Sequence, residues 1–301
     1  MRTPPPPPGN TAPQVAPGPR RAGARTRSCL FDRLLGPSFL DGVPAAPGVY
    51  RAYDENGDLV YVGKATNLRR RLAQYRNAGR RKRQAKMRAI VRAARRIEVT
   101  PCSSHLAACL LEARLIQEHR PRFNAAGAYH FLYPFIGLRD RDGDLCLCYT
   151  TQPDRFSEYA LHGAYRSRAA TREAYWVLVD LLRHLVRPER RRSEPVPRYS
   201  FVRVFRRLAG EWTAPLAAFF RGEDVGALGQ LAVALLAKPA ARCHAAEVEA
   251  NLAVLRRFWD DEVGPLARAC TVTRYSAWPV AQADRDPLFL RARYGAEERV
   301  A

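Results

Sequence analysis

The chain has 301 residues and carries 50 Lys and Arg side chains against 29 Asp and Glu, which gives a net charge of +21. Such a surplus indicates a polyanionic partner such as nucleic acid. A hydrophobic fraction of 47% is typical of a folded protein and excludes disorder along the whole chain. No apolar run is long enough to span a bilayer and no secretory signal is recognisable, so we expect a cytoplasmic protein without a membrane segment.

The first 27 residues hold eight prolines and five arginines with almost no large apolar side chain. This composition predicts a disordered tail with polyproline character. A short apolar lead-in follows at residues 30–40. We therefore assign residues 1–40 to a Pro/Arg-rich tail and lead-in that carries no chemistry.

A β-hairpin is predicted next. Two β-rich runs, residues 48–53 and 59–63, flank the dipeptide Asn56-Gly57, which is the strongest short-range hairpin signal. If Asn56 and Gly57 form a two-residue loop, Ala52 pairs with Tyr61 and Tyr50 pairs with Gly63.

That register places two tyrosines, Tyr50 and Tyr61, on one face of the hairpin. As diagonal neighbours they are close enough for both hydroxyls to reach one ligand atom. The alternative is a pair of half-buried aromatic rings that pack against a helix.

A helix is predicted to begin at a cap, Thr66 or Asn67, and to end near Asn77. Its inward stripe ends with Tyr75, and Arg71 lies beside that stripe, directed toward the face with the two tyrosines. An inward arginine requires an anion, either a structural carboxylate or a substrate phosphate.

Most of the positive charge is concentrated in one segment. Residues 61–100 contain 14 basic side chains and one acid. A solvated helix face usually mixes both signs, so this imbalance favours contacts with a phosphate backbone. The basic side chains expected to contact DNA are Arg69, Arg70, Arg76, Arg80, Arg81, Lys82, Arg83 and Lys86.

One carboxylate stands in an apolar run. After a predicted strand at residues 97–101, Ser103 or Ser104 caps a helix that contains Glu112. The residues one turn away are apolar or Cys, so no cation is available within the helix, and burying an unpaired carboxylate is costly. A bound divalent cation would resolve this, since Mg²⁺ is often held by one carboxylate with water and phosphate. The alternative is a glutamate that faces water.

The remaining sequence indicates a linker and a helical region. Three prolines and five arginines between residues 187 and 198 predict a domain boundary, and apolar residues at helical spacing follow. The seven cysteines have neither the spacing of a zinc site nor that of a disulfide framework.

Five elements in order resemble the signature of the GIY-YIG nuclease family: Gly48-Val49-Tyr50, Tyr61-Val62-Gly63, Arg71, Glu112 and Asn124. Segments at 47–50, 60–65, 111–116 and 121–124 are similar to the N-terminal incision domain of the excinuclease UvrC and its short homologue Cho. The resemblance extends over residues 44–190. It implies a nuclease domain at 41–127 and a UvrC-like extension at 128–190. The linker and the helical spacing beyond it predict a helical C-terminal region of unknown role at 191–301.

The resemblance implies an α/β (α+β) fold, the GIY-YIG fold, with a small mixed or antiparallel three-stranded sheet flanked by helices. The mainly helical C-terminal region predicted from the apolar spacing follows this domain. It implies one Mg²⁺ or Mn²⁺ ion held by Glu112 and water. Asn124 would brace the loop under the site. No cysteine occurs between Cys148 and Cys243, where UvrC and Cho carry a cysteine cluster, so we expect no iron–sulfur cluster.

The resemblance also implies roles in phosphodiester hydrolysis. Tyr61 would be the general base and Lys64 would lower its pKa, although the sequence does not decide which tyrosine is the base. Arg71 would neutralise the charge that develops on the phosphate. Tyr50 and Tyr75 would position the scissile phosphate.

These expectations lead to one function and two alternatives. The first is a metal-dependent DNA endonuclease of the UvrC/Cho type that nicks one strand, 3′ of a lesion, in nucleotide excision repair, with DNA and UvrB as partners. A standalone nuclease for branched DNA and a non-catalytic DNA-binding repair scaffold stay open. The sequence indicates no oligomeric state.

Overall fold

The computed structural model describes residues 29–78, 84–125, 127–186 and 196–295. The predicted tail and most of the predicted linker lie outside these residues, as do four of the basic side chains expected to contact DNA, Arg80, Arg81, Lys82 and Arg83. The strands are β1 Gly48–Tyr53, β2 Leu59–Ala65, β3 Arg96–Pro101, β4 Phe135–Arg141, β5 Asp144–Thr150, β6 Ala160–Gly163 and β7 Phe201–Phe205. The α-helices are α1 Leu30–Leu35, α2 Leu68–Arg76, α3 Ala85–Ala93, α4 His105–His119, α5 Arg168–Leu185, α6 Ala209–Arg221, α7 Ala227–Leu236, α8 Pro239–Cys243, α9 Ala245–Phe258, α10 Gly264–Thr273 and α11 Gln282–Tyr294.

The first sheet is antiparallel with the strand order β2-β1-β3, so β2 lies at one edge. The predicted pairing of the hairpin is confirmed, because Tyr50 faces Gly63 and Ala52 faces Tyr61. The predicted third strand is β3, which pairs with the other side of β1. A small three-stranded sheet flanked by helices, followed by a helical C-terminal region, confirms the predicted fold class.

The hairpin loop differs from the two-residue turn that Asn56-Gly57 predicted. The Gly57 N–H donates to the Asp54 carbonyl and the Asp54 N–H donates to the Asp58 carbonyl, so three residues form the loop. Gly57 has a φ of +83°, which a glycine adopts without steric strain. An irregularity in the pairing between Ala52 and Tyr53 absorbs the extra residue, which is why the predicted register still holds further along the strands.

Helices cover both faces of the first sheet. α2 and α3 pack on the face that carries Tyr50, and their apolar residues form one core cluster with it. α4 packs on the opposite face, against Val49 and Val62. The structure selects one of the two predicted caps at each helix. Asn67 accepts from the Arg70 N–H at the start of α2, and Ser104 accepts from the Ala107 N–H at the start of α4.

A second antiparallel sheet, which the sequence did not predict, follows the first domain. Its strand order is β6-β4-β5-β7. Asp142 and Gly143 form the tight turn between β4 and β5, and both have positive φ. The predicted boundary after residue 190 falls between strands of this sheet, because β7 pairs with β5.

The C-terminal helices share one apolar core with the second sheet. That core includes Ile136 on β4, Leu178 on α5, Phe220 on α6 and Leu288 on α11. α11 also packs against α4 of the first domain, where the Tyr294 ring meets the His105 ring edge-on with 5.0 Å between centroids. Within the described residues, no helix combines the length and the apolar character needed to cross a membrane.

Candidate active site

Three tyrosines converge on the α2 face of the first sheet. The hydroxyl oxygens of Tyr50 and Tyr75 are 2.9 Å apart, and the rings of Tyr50 and Tyr61 have centroids 6.0 Å apart. Tyr50 is almost fully buried, at 1% exposure, and Tyr75 is also buried, whereas Tyr61 is half-buried. The shared face predicted for Tyr50 and Tyr61 is therefore present, and Tyr75 on α2 joins it.

Gly63 makes room for this cluster. It faces Tyr50 across the hairpin, and a Cβ atom at position 63 would overlap the Tyr50 hydroxyl group and press on the Tyr61 ring. The close approach of β2 to the tyrosine hydroxyl thus requires glycine at this position.

Burial sets the protonation state of two of the tyrosines. Desolvation raises the pKa of Tyr50 far above its ordinary value, with the charge of a neighbouring Tyr61 adding to the effect. Desolvation likewise raises the pKa of Tyr75. Both hydroxyls stay protonated at neutral pH and can act as hydrogen-bond donors, but neither is suited to act as a base.

Arg71 reaches the same cluster from α2. Its Nε donates to the Tyr50 hydroxyl at 3.3 Å, its Nη1 donates to the Gln74 side chain at 2.7 Å, and its guanidinium lies 5.4 Å from the centroid of the Tyr75 ring. No carboxylate is among its hydrogen bonds or ion pairs within the described residues. Of the two anions that the sequence left open, the described residues supply no structural carboxylate to Arg71.

The edge of β2 that does not pair with β1 forms hydrogen bonds to three residues: Phe123 and Asn124, which follow α4, and Glu112 on α4. The Phe123 N–H donates to the Val60 carbonyl at 3.1 Å. The Asn124 amide accepts from the Val62 N–H and donates to the Val62 carbonyl, each at 2.9 Å. Further along, the Lys64 N–H donates to Glu112 Oε1 at 3.2 Å. Asn124 thus braces the strand rather than a loop.

The expectation that Glu112 is unpaired is wrong. The Lys64 Nζ lies 2.8 Å from Glu112 Oε2, with side-chain exposures of 32% and 18%. The sequence argument considered only positions one turn away on the same helix, and the partner comes from β2. Burial opposes the charge on Lys64, but the hydrogen bond and the attraction of Glu112 outweigh it and raise the pKa of Lys64.

Glu112 offers a metal ion one carboxylate group as a protein ligand. Both carboxylate oxygens point at the edge of β2, where Lys64 contacts them. Among the residues that the structure describes, no group of three or more His, Cys, Asp or Glu side chains could hold a metal ion. A divalent cation here would have one protein carboxylate, with water and substrate phosphate as its other ligands, which is common for Mg²⁺.

Of the basic residues expected to contact DNA, four lie within the described residues, and two of these make hydrogen bonds or ion pairs within the protein. Arg69 donates to the Val43 carbonyl at 2.7 Å, and Arg76 pairs with Asp32 at 2.7 Å, so both hold α2 against the preceding loop and α1. Arg70 is exposed on α2, and the Lys86 Nζ lies 5.4 Å from the centroid of the Tyr61 ring.

Sequence reasoning missed the second wall of this site. Glu112 and Lys64 open into a cleft of about 510 Å³ whose opposite side is formed by α11 and the turn that precedes α10. Arg285, Phe289 and Arg293 on α11 line that side. The pattern of α11 predicts a helix, but nothing in it indicates that the helix packs near Glu112.

Comparison with known proteins assigns the first domain. Residues 46–125 match the family model described as a UvrC-like GIY-YIG domain. These residues contain β1 to β3, α2 to α4, the tyrosine cluster with Arg71, and Glu112 with Lys64, whereas the α11 side chains that line the cleft lie outside them. Residues 46–125 are a UvrC-like GIY-YIG domain.

Several curated proteins that are similar to this GIY-YIG domain are named UvrABC system protein C. The chain is 37% identical over 131 residues to the UvrABC system protein C of Methylococcus capsulatus, and this alignment covers 44% of this chain and 19% of that protein. It is 40% identical over 105 residues to the corresponding protein of Cytophaga hutchinsonii, which covers 35% of this chain and 17% of that protein. The chain thus matches about a fifth of the length of these curated relatives.

A solved structure is also similar to the GIY-YIG domain. It is the N-terminal endonuclease domain of UvrC from Thermotoga maritima, bound to magnesium as its catalytic divalent cation. The alignment has 30% sequence identity and a TM-score of 0.26, and it covers 32% of this chain and 96% of that chain.

Proposed function

We propose that this protein is a divalent-metal-dependent DNA endonuclease of the UvrC/Cho type, which hydrolyses one phosphodiester bond and so nicks one strand 3′ of a lesion. The observation that carries the proposal is the ion pair between Lys64 on β2 and Glu112 on α4. Lys64 is three residues from Tyr61 on the same strand, which corresponds to about 10 Å along β2. The UvrC relatives support it. The +21 charge suits a nucleic-acid substrate.

The proposed chemistry assigns a proton acceptor first. The raised pKa of Tyr50 and Tyr75 leaves them as donors that position phosphate oxygens. Tyr61 is half-buried and is therefore the candidate general base for the attacking water. Lys64 stays protonated because of Glu112, so it supplies positive charge rather than accepting a proton.

The proposed stabilisation of the transition state rests on Arg71. Its guanidinium is held by the Tyr50 hydroxyl and Gln74, and no protein carboxylate in the described residues neutralises it. A cation that is fixed before the reaction stabilises the charge that develops on phosphate without reorganising. A divalent ion held by Glu112 would polarise the phosphoryl group.

The experiment measures nicking of a lesion-bearing DNA duplex with Mg²⁺, in the presence and absence of UvrB. We expect a nick in one strand that EDTA abolishes and UvrB stimulates. Glu112→Gln should reduce the rate by at least about 100-fold. The matched control is Glu118→Gln, an exposed glutamate nearer the C-terminal end of α4, which should retain activity.

Three outcomes separate the alternatives. Equal nicking by Glu112→Gln and the unchanged protein would contradict the proposed site. Nicking of branched DNA that UvrB does not affect would select the standalone nuclease. Salt-sensitive DNA binding without any metal-dependent nick would select the repair scaffold.

A further inference from the structure

A cluster of aromatic side chains is exposed just after the GIY-YIG domain. Tyr129 is 56% exposed and Phe131 is 38% exposed. Their ring centroids are 6.1 Å apart at an interplanar angle of 72°, and the His130 ring lies 6.0 Å from that of Phe131. Large aromatic side chains grouped on a surface indicate a binding site rather than a core.

An arginine completes the cluster. The Arg120 guanidinium lies 4.8 Å from the centroid of the Phe131 ring. Burial and the positive charge of Arg120 lower the pKa of His130, so the His130 ring is neutral at neutral pH. Aromatic rings next to an arginine are the combination on which single-stranded nucleic acids stack their bases.

The residues from Tyr129 to Phe131, here called the aromatic segment, have a backbone that hydrogen bonds hold in place. The Leu132 N–H donates to the Tyr129 carbonyl at 3.0 Å, which closes a turn within the segment. The Gln282 side chain on α11 donates to the carbonyl oxygens of Phe131 at 2.9 Å and Tyr133 at 2.7 Å. The two rings are therefore presented to solvent by a fixed backbone, which reduces the entropy lost when a ligand stacks on them.

The cluster borders the cleft that contains Glu112. Gly127 and Tyr133, which flank the aromatic segment in the chain, line that cleft together with Glu112. Arg120 directly follows α4 and is eight residues beyond Glu112, which corresponds to about 12 Å along the helix axis. At about 3.4 Å per nucleotide of a duplex strand, this distance spans three to four nucleotides.

We propose that Tyr129, Phe131 and Arg120 form a platform on which an unpaired base of the DNA stacks, a few nucleotides from the phosphate that is cut. This inference rests on the proposed function and names its substrate class, which is duplex DNA that is locally unpaired near the incision. The exposed cluster comprises only a few side chains, whereas a stable protein interface buries about 800 Å² per partner. The small size and the arginine favour a nucleobase over a second protein.

The experiment measures binding of the full chain, without divalent metal, to two DNA molecules that differ only in a three-nucleotide bubble of mismatches. The unchanged protein should bind the bubble more tightly than the paired duplex. Tyr129→Ala and Phe131→Ala should each weaken binding to the bubble by about tenfold and leave binding to the paired duplex unchanged. Phe131→Trp, which keeps a stacking surface, should retain the preference.

The matched control is Tyr199→Ala. Tyr199 is 69% exposed with the Arg198 guanidinium 4.9 Å from its ring centroid, but it precedes β7 in the second sheet. Its replacement should leave the preference for the bubble intact. Quenching of 2-aminopurine fluorescence in the bubble provides a second measurement, because stacking on the platform changes it and an altered overall fold is visible separately by circular dichroism.

The outcomes are separable from those of the proposed function. If the unchanged protein nicks DNA but Tyr129→Ala and Phe131→Ala bind the bubble as it does, the platform is refuted and the nuclease stands. If both variants lose the preference while no protein nicks DNA with Mg²⁺, the platform stands and the nuclease is refuted. If Tyr129→Ala and Phe131→Ala leave DNA binding unchanged and abolish binding to a protein partner instead, the platform is also refuted.

Discussion

Lys64 holds both oxygens of the Glu112 carboxylate, with its backbone N–H on Oε1 at 3.2 Å and its Nζ 2.8 Å from Oε2. The backbone contact depends on β2 and does not involve the Lys64 side chain. The ammonium group, in contrast, already contacts Oε2, so a cation that binds this oxygen must share it with Lys64 or displace the ammonium. Lys64 therefore orients the carboxylate and would compete for it with the divalent cation that we propose.

Lys64→Gln should separate these two effects. The variant keeps the backbone contact and loses the ammonium, so half-saturation with Mg²⁺ should need about 1.4- to fivefold less metal, in line with a partly exposed ion pair worth about 0.2–1 kcal/mol. The rate at saturating metal should fall, because positive charge near the phosphate is lost. Titration of nicking with Mg²⁺ checks this. Lys238→Gln, an exposed lysine just before α8, is the control and should leave both quantities unchanged.

Arg71→Ala should reduce kcat for nicking by about 100- to 1,000-fold, since it removes a fixed cation from the tyrosine cluster. Arg71→Lys should restore little of that rate, because an ammonium cannot keep the contact that the planar Nε makes with the Tyr50 hydroxyl. The neighbouring Arg70 is exposed, and Arg70→Ala should raise KM and leave kcat unchanged. Similar kinetics for the Arg70 and Arg71 variants would argue against a role in the reaction.

Gly63→Ala should displace the Tyr50 hydroxyl, because the new methyl group would occupy its position. We expect a loss of about 1–3 kcal/mol in the free energy of unfolding, together with strongly reduced nicking. Urea unfolding and the nicking assay measure the two effects. A good comparison is Gly229→Ala on α7, where an added Cβ meets no atom within 4 Å. That substitution should leave nicking unchanged and stabilise the helix by about 0.4–1 kcal/mol.

Asn124→Ala should release the edge of β2, because both hydrogen bonds to Val62 are lost. Leaving the Val62 N–H and carbonyl without their partner should cost about 1–3 kcal/mol of stability. The amide of Val62 should then exchange its hydrogen faster, which NMR or mass spectrometry can follow. Asn251→Ala, on α9, serves as the comparison and should change stability by no more than about 0.5 kcal/mol. Unchanged exchange at Val62 would show that Asn124 does not secure the strand.

Stability should fall at alkaline pH. Tyr50 and Tyr75 have an ordinary pKa of 10.0, and burial raises the pKa of both in the folded protein. Above about pH 10 the unfolded chain therefore loses these protons first, and each group lowers the free energy of unfolding by up to about 1.4 kcal/mol per pH unit. This contribution is fully present below pH 10. Urea unfolding between about pH 8 and 11 should show the decline, and Tyr50→Phe should make it shallower.

Local chemistry predicted the parts of the fold that depend on neighbours in the chain. The third strand and the pairing of Tyr50 with Gly63 follow from short sequence patterns. The same kind of pattern narrowed each helix cap to two neighbouring residues, of which the structure selects Asn67 and Ser104. The predicted length of the loop around Gly57 was one residue too short. A bulge compensates for the extra residue, and the pattern of apolar residues does not indicate a bulge.

Long-range contacts could not be derived in the same way. Lys64 and Glu112 are 48 positions apart, and only the packing of α4 beside β2 brings them together. The second sheet did have a signal, since Asp142-Gly143 between two apolar runs is a strong hairpin pattern. The position of α11 opposite Glu112 had none, because the apolar residues of a helix show that it is buried but not against which helix.

The occupied edge of β2 has a consequence for how the protein behaves at high concentration. An exposed edge strand is a template for pairing with a strand of another molecule, which leads to aggregation. In this protein the groups that satisfy that edge are the Phe123 main chain, Asn124 and Glu112, two of which belong to the candidate active site. The residues that arrange the site therefore also keep neighbouring molecules from adding a strand to the sheet.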